Sequence, residues 1–288
     1  MAGLTIFHTS DMHNKLTAEW AERLHELKAA SPGSLMLDSG DAIWAGNVFW
    51  RLGGEPVLDL MNGVPYDALC MGNREFHFLG IACNSKTSRA EFPVLSANLR
   101  RAGGWGPGAG DQAAPSPDRR GPRRGVPSPS PLAGEGRGEG EKPRVSDTIP
   151  NSTALRYATF DRDGLRVTVF GLSVPCITER MLVSKVSEFY FDQPISAAAE
   201  IVPALRSKCD LLIALTHIGI KADRELAEKV SGIDLILGGH THVITDERVG
   251  DTRILHHGFY VHYAGKVIVE VDSGRIDVTN ELIPVGKA

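Results

Sequence analysis

Residues 4–13 read Leu4-Thr5-Ile6-Phe7-His8-Thr9-Ser10-Asp11-Met12-His13, an apolar run that ends in two side chains able to bind a metal ion. A short apolar run bounded by glycine or polar residues predicts a buried strand. The same pattern recurs four more times along the chain. The later runs lead into Asp38-Ser39-Gly40-Asp41, Gly72-Asn73, Thr216-His217 and Gly238-Gly239-His240-Thr241-His242.

The polar residues that follow these runs are expected to meet. Ligands in open α/β sheets gather beyond the carboxyl ends of the strands. A mixed set of carboxylate, amide and imidazole groups suits Mn, Fe or Zn, and a set of this size can hold two ions. The candidate ligands are Asp11, His13, Asp41, Asn73, His217, His240 and His242.

Whole-chain properties narrow the function classes. The chain has 288 residues and a net charge of −4, so nothing in its overall charge indicates binding to nucleic acid or to a membrane surface. Its four cysteines form no CxxC pair and are expected to be reduced core thiols. No signal peptide is recognised after Met1, and no apolar run approaches the roughly 18 residues of a membrane span, so we expect a cytoplasmic protein.

Strand and helix patterns alternate along most of the chain. Helical spacing predicts helices over residues 17–30, 56–63, 194–208 and 222–230, and a further helix opening at Asn73. Two β-rich runs flank the turn at 161–164 and predict a hairpin over 154–172. The alternation indicates one α/β domain over 1–288.

Residues 103–146 interrupt this pattern. The segment is rich in Gly, Pro and Arg and nearly free of aromatic residues, so we predict a disordered insertion. A solvated insertion that the fold tolerates is favoured, because loop-closure cost rises slowly with length. The alternative is a basic tether for nucleic acid or an acidic partner.

These motifs, taken in order, resemble the calcineurin-like metallophosphoesterase superfamily. The segments Ser96-Ala97-Asn98 and Asp163-Gly164-Leu165-Arg166-Val167 are similar to its 5′-nucleotidase branch. The resemblance implies a four-layer αββα sandwich with two mixed sheets flanked by helices. It also implies two divalent metal ions of the Mn, Zn, Fe or Co type.

The resemblance further implies how the ligands divide and what they do. One ion would be held by Asp11, His13, Asp41 and His242, and the other by Asp41, Asn73, His217 and His240. The implied reaction is hydrolysis of a phosphomonoester by a metal-bridging hydroxide. The substrate would be a small phosphorylated molecule such as a nucleotide. No membrane partner is expected and nucleic acid is disfavoured, while the sequence leaves the oligomeric state open.

The chain departs from the pattern of the enzymes it resembles in two places. They carry His after the Asn and Asp three residues later, whereas this chain has Arg74 and His77. Arg cannot act as a general acid, so our hypothesis gives Arg74 the role of binding phosphate and His77, on the same face of the predicted helix, the role of proton donor. The opposing interpretation is an inactivated enzyme.

The second departure concerns the C-terminal nucleotide-binding domain of the enzymes that the chain resembles. We expect this chain to have no room for that domain. The aromatic residues that follow Asp41 are then of interest. Trp44, Phe49 and Trp50 form either a substitute apolar wall for substrate or part of the packed interior or of an interface.

Three other functions stay open at this stage. The first is a phosphodiesterase or sulfur-ester hydrolase on the same fold, which would act on better leaving groups. The second is a metal-binding protein with weak or no turnover. The third is a nucleic-acid-associated protein that uses the Arg-rich insertion and binds in a salt-sensitive way.

Overall fold

A computed structural model describes residues 2–46, 48–102, 144–149, 152–272 and 274–286. Within these ranges the helices are α1 (Ala18–Ala29), α2 (Val57–Gly63), α3 (Gly80–Lys86), α4 (Pro194–Arg206) and α5 (Ile220–Lys229), with a 3₁₀ turn at Leu182–Lys185. The strands are β1 (Ala2–Thr9), β2 (Leu35–Asp38), β3 (Ala68–Cys70), β4 (Val94–Leu95), β5 (Leu99–Arg101), β6 (Arg144–Thr148), β7 (Ala154–Arg162), β8 (Leu165–Ser173), β9 (Phe189–Phe191), β10 (Leu211–His217), β11 (Leu235–Gly238), β12 (Ile244–Val249), β13 (Thr252–His257), β14 (Tyr263–Asp272) and β15 (Arg275–Pro284).

One continuous sheet contains most of the strands. Its order is β12-β13-β11-β10-β8-β7-β4-β3-β2-β1-β14-β15, with β6 paired to β7 at one side. The neighbours β1, β2, β3 and β4 run parallel, and so do β8, β10, β11 and β13. Antiparallel pairs close both ends, so the sheet is mixed. The five predicted strands are confirmed as β1, β2, β3, β10 and β11.

Three apolar clusters show how the layers stack. The central cluster joins side chains of both halves of the sheet, for example Ile6 and Leu37 with Ile213 and Leu235. A second cluster packs the outer face of β1 and β2 against α1 and α2, and a third packs β8, β10 and β11 against α4 and α5. The two half-sheets therefore face each other between layers of helices. This confirms the four-layer αββα sandwich, with its two sheets joined into one strand path.

Local signals account for several elements. Thr17 caps α1, its side chain accepting a hydrogen bond from the Trp20 amide. The predicted hairpin is present as β7 and β8, and its turn places Asp163 and Gly164 at φ of 48° and 81°. α4 contains Pro203 within its span. No helix in the described part of the chain is long and apolar enough to cross a membrane.

Two expectations about local structure were wrong. Residues 73–75 form a turn rather than the start of a helix, and α3 begins only at Gly80. Residues 144–146, assigned to the disordered insertion, belong to β6, which pairs antiparallel with β7. Such pairing uses backbone groups, about which composition says little. The remainder of the predicted insertion, 103–143, lies outside the described residues.

Candidate metal centre

The ends of five strands bring the candidate ligands to one place. Asp11 and His13 follow β1, Asp41 follows β2 and Asn73 follows β3. On the other half of the sheet, His217 is the last residue of β10, and two further histidines follow β11. Since the parallel strands of each half end at the same edge, the side chains of both halves meet across the sandwich.

A first group of possible ligands consists of Asp11, His13 and His242, whose ligand atoms lie within 4.8 Å of one another. The Oδ1 atom of Asp11 is 3.3 Å from His242 Nε2 and 3.7 Å from His13 Nε2. The other carboxylate oxygen of Asp11 accepts a hydrogen bond of 2.9 Å from the His240 amide. Asp11 is thus fixed through one oxygen and presents the other to the two imidazoles.

A second group consists of Asp11, Asp41 and His217. Asp41 faces both groups, because its Oδ1 lies 3.5 Å from His217 Nε2 and its Oδ2 lies 3.6 Å from His13 Nε2. The Nδ1 atom of His240 is 3.3 Å from His217 Nε2, which places His240 beside this second group. A carboxylate with one oxygen toward each group has the arrangement needed to bridge two cations.

Buried polar atoms without partners test whether these residues fit a metal. Nine side-chain atoms of the described residues are buried without a hydrogen bond, and three of them are Asp11 Oδ1, His13 Nε2 and Asn73 Oδ1. Such atoms are costly unless something else satisfies them. All three belong to the predicted ligand set, and all three are lone-pair donors when the imidazole is neutral. The donor set therefore fits divalent cations.

The backbone at this edge is unusual. Five of the candidate ligands have positive φ angles, a region that non-glycine residues seldom occupy. The values are 50° for Asp11, 46° for His13, 56° for Asp41, 79° for His240 and 57° for His242. Strain of this kind persists only where the surroundings enforce it, and it concentrates at functional sites.

Charge and burial act together on the pKa values. Burial would raise the pKa of Asp11 and Asp41, but attraction to the neighbouring histidine rings, whose nitrogens lie 3.3–3.7 Å from the carboxylate oxygens, outweighs it and lowers both. Burial would likewise lower the pKa of His217, yet its hydrogen bond with Asp41 raises that pKa to about 9. The two carboxylates therefore draw positive charge to this edge, which is the environment a divalent cation requires.

Glu75 holds the loop that carries Asp41. Its Oε2 accepts hydrogen bonds from the amides of Asp41 (3.0 Å) and Gly72 (2.9 Å). Its Oε1 accepts from the amides of Ala42 (2.9 Å) and Ile43 (3.3 Å). The side chain is fully buried, so one carboxylate ties the end of β2 to the end of β3. The sequence motif contained Glu75, but sequence reasoning assigned it no role.

Arg74 lies at the centre and His77 does not. The Arg74 amide donates to Asp41 Oδ1 (2.7 Å), and its Nε is 3.7 Å from Asp41 Oδ2. His77 accepts a hydrogen bond from the Leu79 amide through Nδ1, stacks on Phe78 and is bonded to the backbone of Val48. These contacts all lie outside the candidate ligand set. The shared helix face proposed for Arg74 and His77 was wrong, because no helix spans them.

The aromatic residues after Asp41 are not part of the interior. Trp44 is 51% exposed and Phe49 is 67% exposed, while Trp50 is half-buried. The Trp44 carbonyl accepts a hydrogen bond of 2.9 Å from Arg74 Nη1, so Trp44 is close to the metal centre. Core packing is therefore excluded for Trp44 and Phe49, and the apolar-wall interpretation stays a prediction.

Lys86 was missed at the sequence level because its partners are backbone atoms. It is fully buried, and its Nζ donates to the carbonyls of Gly46 (2.9 Å), Arg74 (2.7 Å) and Phe76 (2.9 Å). The ammonium group thus joins the loop after Asp41 to the turn that carries Arg74. A lysine on a seven-residue helix gives no sequence signal for such contacts.

Comparison with known proteins agrees with this picture, although no family model matches the chain. The trifunctional nucleotide phosphoesterase protein YfkN of Bacillus subtilis (strain 168) is 31% identical over 266 residues, covering 85% of this chain and 16% of that protein. The 5′-nucleotidase of Bos taurus is 25% identical over 260 residues, covering 83% of this chain and 38% of that protein. The crystal structure of a 5′-nucleotidase precursor from Thermus thermophilus superposes with a TM-score of 0.70 at 20% identity, over 98% of this chain and 54% of that one.

The similarity extends over most of this chain but only part of these proteins. The chain spans well under half the length of the two curated relatives. It has the fold of the 5′-nucleotidase-like metallophosphoesterase catalytic domain.

Proposed function

We propose that this chain is a dinuclear metal-dependent phosphoester hydrolase that acts on a phosphomonoester, with nucleotides as the leading substrate class. The observation that carries the proposal is the position of Asp41, whose two oxygens face the histidines of two groups of ligands that share Asp11. The Asp11 and Asn73 oxygens, which are buried without a hydrogen bond, support it, since a bound cation would satisfy them.

The residues present suit two ions. Asp11, His13, Asp41 and His242 would hold one, and Asp41, Asn73, His217 and His240 the other. Two divalent ions in such a site would lower the pKa of a bound water and clamp phosphoryl oxygens. The similarity to nucleotide phosphoesterases supports a divalent metal, while the number and identity of the ions belong to this proposal.

Arg74 contributes a fixed positive charge beside the reacting phosphate. Its guanidinium is partly exposed, and one of its nitrogens is held by the Trp44 carbonyl. The remaining N–H groups are available to phosphoryl oxygens, which Arg binds bidentately. Since the transition state of phosphoryl transfer spreads negative charge over these oxygens, a preorganised guanidinium stabilises it.

The departing group receives no proton from Arg74, which stays charged at any working pH. His77 is a poor source as well, because the Leu79 amide and the Val48 backbone occupy its ring. A nucleoside leaving group would therefore have to take its proton from water, whereas a leaving group that is stable as an anion needs none. This leaves two outcomes to separate: a phosphomonoesterase of restricted leaving-group range, and a phosphodiesterase acting on good leaving groups.

A hydrolysis panel tests the proposal. Metal-stripped protein is reloaded with Mn, Zn, Co or Mg and assayed on p-nitrophenyl phosphate, bis-p-nitrophenyl phosphate, nucleoside monophosphates and cyclic nucleotides. Asp41→Asn serves as the blank, and the exposed Asp251→Asn serves as the matched control. We expect metal-dependent turnover in the wild type and control but none in the blank. Binding of two ions per chain without any turnover would instead establish a metal-binding protein.

A further inference from the structure

The imidazoles of the metal centre are not all held in the same way. A histidine that binds a metal usually donates its second ring N–H to an acceptor that fixes the ring. His217 follows this rule, since its Nδ1 lies 2.8 Å from the carbonyl oxygen of Ser39. Among the described residues, no such acceptor is found for His240, whose Nδ1 lies 3.3 Å from His217 Nε2, nor for His13 and His242. His13 and His242 both face carboxylates through Nε2, and something else must set their ring planes.

Two aromatic side chains occupy that place. The Phe259 ring lies parallel to the His242 imidazole, with centroids 4.7 Å apart and planes 16° apart. The Tyr260 ring meets the His13 imidazole edge to face at 5.3 Å and 62°. Phe259 and Tyr260 also contact each other at 4.7 Å and 72°. The two rings therefore form one packed unit with the two imidazoles.

The backbone that carries these rings is strained and well anchored. Tyr260 and Val261 have consecutive φ values of 55° and 60°, and a β-branched residue such as Val261 is a genuine outlier there. The Tyr260 amide donates to the Asp11 carbonyl at 3.0 Å, and the Gly286 amide donates to the Val261 carbonyl at 3.0 Å. The corner is thus attached to the loop that provides the first two ligands.

We propose that Phe259 and Tyr260 are positioning residues for one metal subsite, the one formed by Asp11, His13 and His242. Aromatic packing orients the imidazoles of this subsite, as the hydrogen bond to the Ser39 carbonyl orients His217. The inference rests on the metal centre of the proposed function. It adds that the two subsites differ in how their imidazoles are oriented, so that they can be weakened separately.

The physical consequence is a selective loss of metal affinity. Without the Phe259 ring the His242 imidazole can rotate. Part of the free energy of metal binding is then used to order this imidazole, so the affinity falls. Loss of groups that orient metal ligands weakens binding by roughly 10- to 100-fold. His217 keeps its contact with the Ser39 carbonyl, so the second ion should be affected by less than about threefold.

Calorimetric titration of the metal-free chain with Mn²⁺ tests this without measuring turnover. We expect wild type to bind two ions, and Phe259→Ala to bind one of them roughly 10- to 100-fold more weakly. Phe259→Tyr, which keeps the flat ring, should restore both affinities. Tyr190→Ala removes a half-buried aromatic outside the centre and is the control, expected to leave both affinities unchanged. Thermal unfolding of each metal-free variant reports whether the fold persists, and Phe259→Leu replaces Phe259→Ala if it does not.

Several results would overturn the inference. Equal weakening of both ions, or of neither, in a folded Phe259 variant would show that the aromatic rings do not orient this subsite. A Phe259→Tyr protein as weak as Phe259→Ala would do the same. Wild type that binds no Mn²⁺ would overturn the inference together with the metal centre. Selective weakening in a protein that hydrolyses no phosphoester would leave the inference standing and reject the proposed function.

Discussion

Replacing Glu75 by glutamine should loosen the loop that carries Asp41. In the wild-type chain each carboxylate oxygen of Glu75 accepts two amide hydrogen bonds. Burial and the nearby Asp41 charge raise the pKa of Glu75, while the amide donors oppose that rise by favouring the charged form. Glutamine keeps one acceptor oxygen and turns the other into an NH₂ group, which faces two amides that are themselves donors.

The magnitude follows from the count of stranded donors. Two buried N–H groups lose their acceptor in Glu75→Gln, and each costs about 1–3 kcal/mol. The free energy of unfolding of the metal-free chain should therefore fall by about 2–6 kcal/mol. Because the amides at stake belong to Asp41 and its neighbours, affinity for the ions that Asp41 bridges should fall as well.

Urea unfolding of the metal-free protein and calorimetric titration with Mn²⁺ measure the two effects. Glu19→Gln, in the first turn of α1 and exposed, is the matched control and should change stability by less than about 0.5 kcal/mol. If Glu75→Gln unfolded at the wild-type urea concentration and bound Mn²⁺ with wild-type affinity, the carboxylate would not be holding the loop, and its assigned role would be wrong.

Three further predictions concern charge and protons. Since the pKa of His217 is raised to about 9, metal binding at pH 7 should displace its proton, and the apparent affinity for the metal should rise with pH up to about 9. Calorimetric titrations in buffers of different ionisation enthalpy measure the proton that is released. A metal affinity that does not change with pH would contradict the prediction. Burial lowers the pKa of His257 to about 4, so as the pH falls this histidine is protonated in the unfolded chain before it is protonated in the folded chain. The free energy of unfolding should therefore drop by about 2 kcal/mol between pH 7 and pH 5. In His257→Gln this pH dependence should be weaker, and an unchanged dependence would assign the drop to other groups. Lys86→Met removes the donor for three buried carbonyl oxygens and should lower the free energy of unfolding by about 3 kcal/mol or more. It should also slow turnover, because the turn that carries Arg74 loses its anchor. Urea unfolding and steady-state kinetics measure the two effects, and the exposed Lys208→Met should show neither.

The strands and the edge where they end were predictable because their signals are local. Each run of apolar residues identifies a buried strand, and the rule that parallel strands end together then assembles the ligands without any knowledge of contacts. The helix at Asn73 was wrong for a long-range reason. The Arg74 amide bonds to Asp41, and the Glu75 side chain accepts from the amides of residues 41–43, so contacts with the distant loop after β2 fix residues 73–75 as a turn.

The residues that hold the loops of the metal centre in place could not be predicted from the sequence, again because their contacts are long-range. Glu75 and Lys86 form hydrogen bonds with backbone groups, some of them 30 or more residues away and others in the neighbouring turn. The spacing of residues along the sequence does not reveal such pairs. The positive φ angles of Asp11 and Asp41 likewise arise from the way the loops meet, not from the preferences of aspartate. Glycine is the partial exception, because a Cβ on Gly72 would lie 2.4 Å from the Asp41 amide nitrogen. A glycine just before a candidate ligand was the one sequence signal of this close approach.

The two buried carboxylates make this edge of the sheet a favourable place for cations. Ligand oxygens of Asp11 and Asp41 lie within 4.8 Å of each other, in a buried place where like charges repel strongly. Without a metal, His13 and His217 offset this repulsion by favouring their protonated forms, which is why the pKa values of both imidazoles rise while those of the carboxyls fall. Divalent ions would replace those protons and satisfy the stranded Asp11 and Asn73 oxygens at once. The strained loops, the buried carboxylate of Glu75 and the aromatic corner are then parts of one arrangement, in which the fold holds negative charge in position and cation binding completes it.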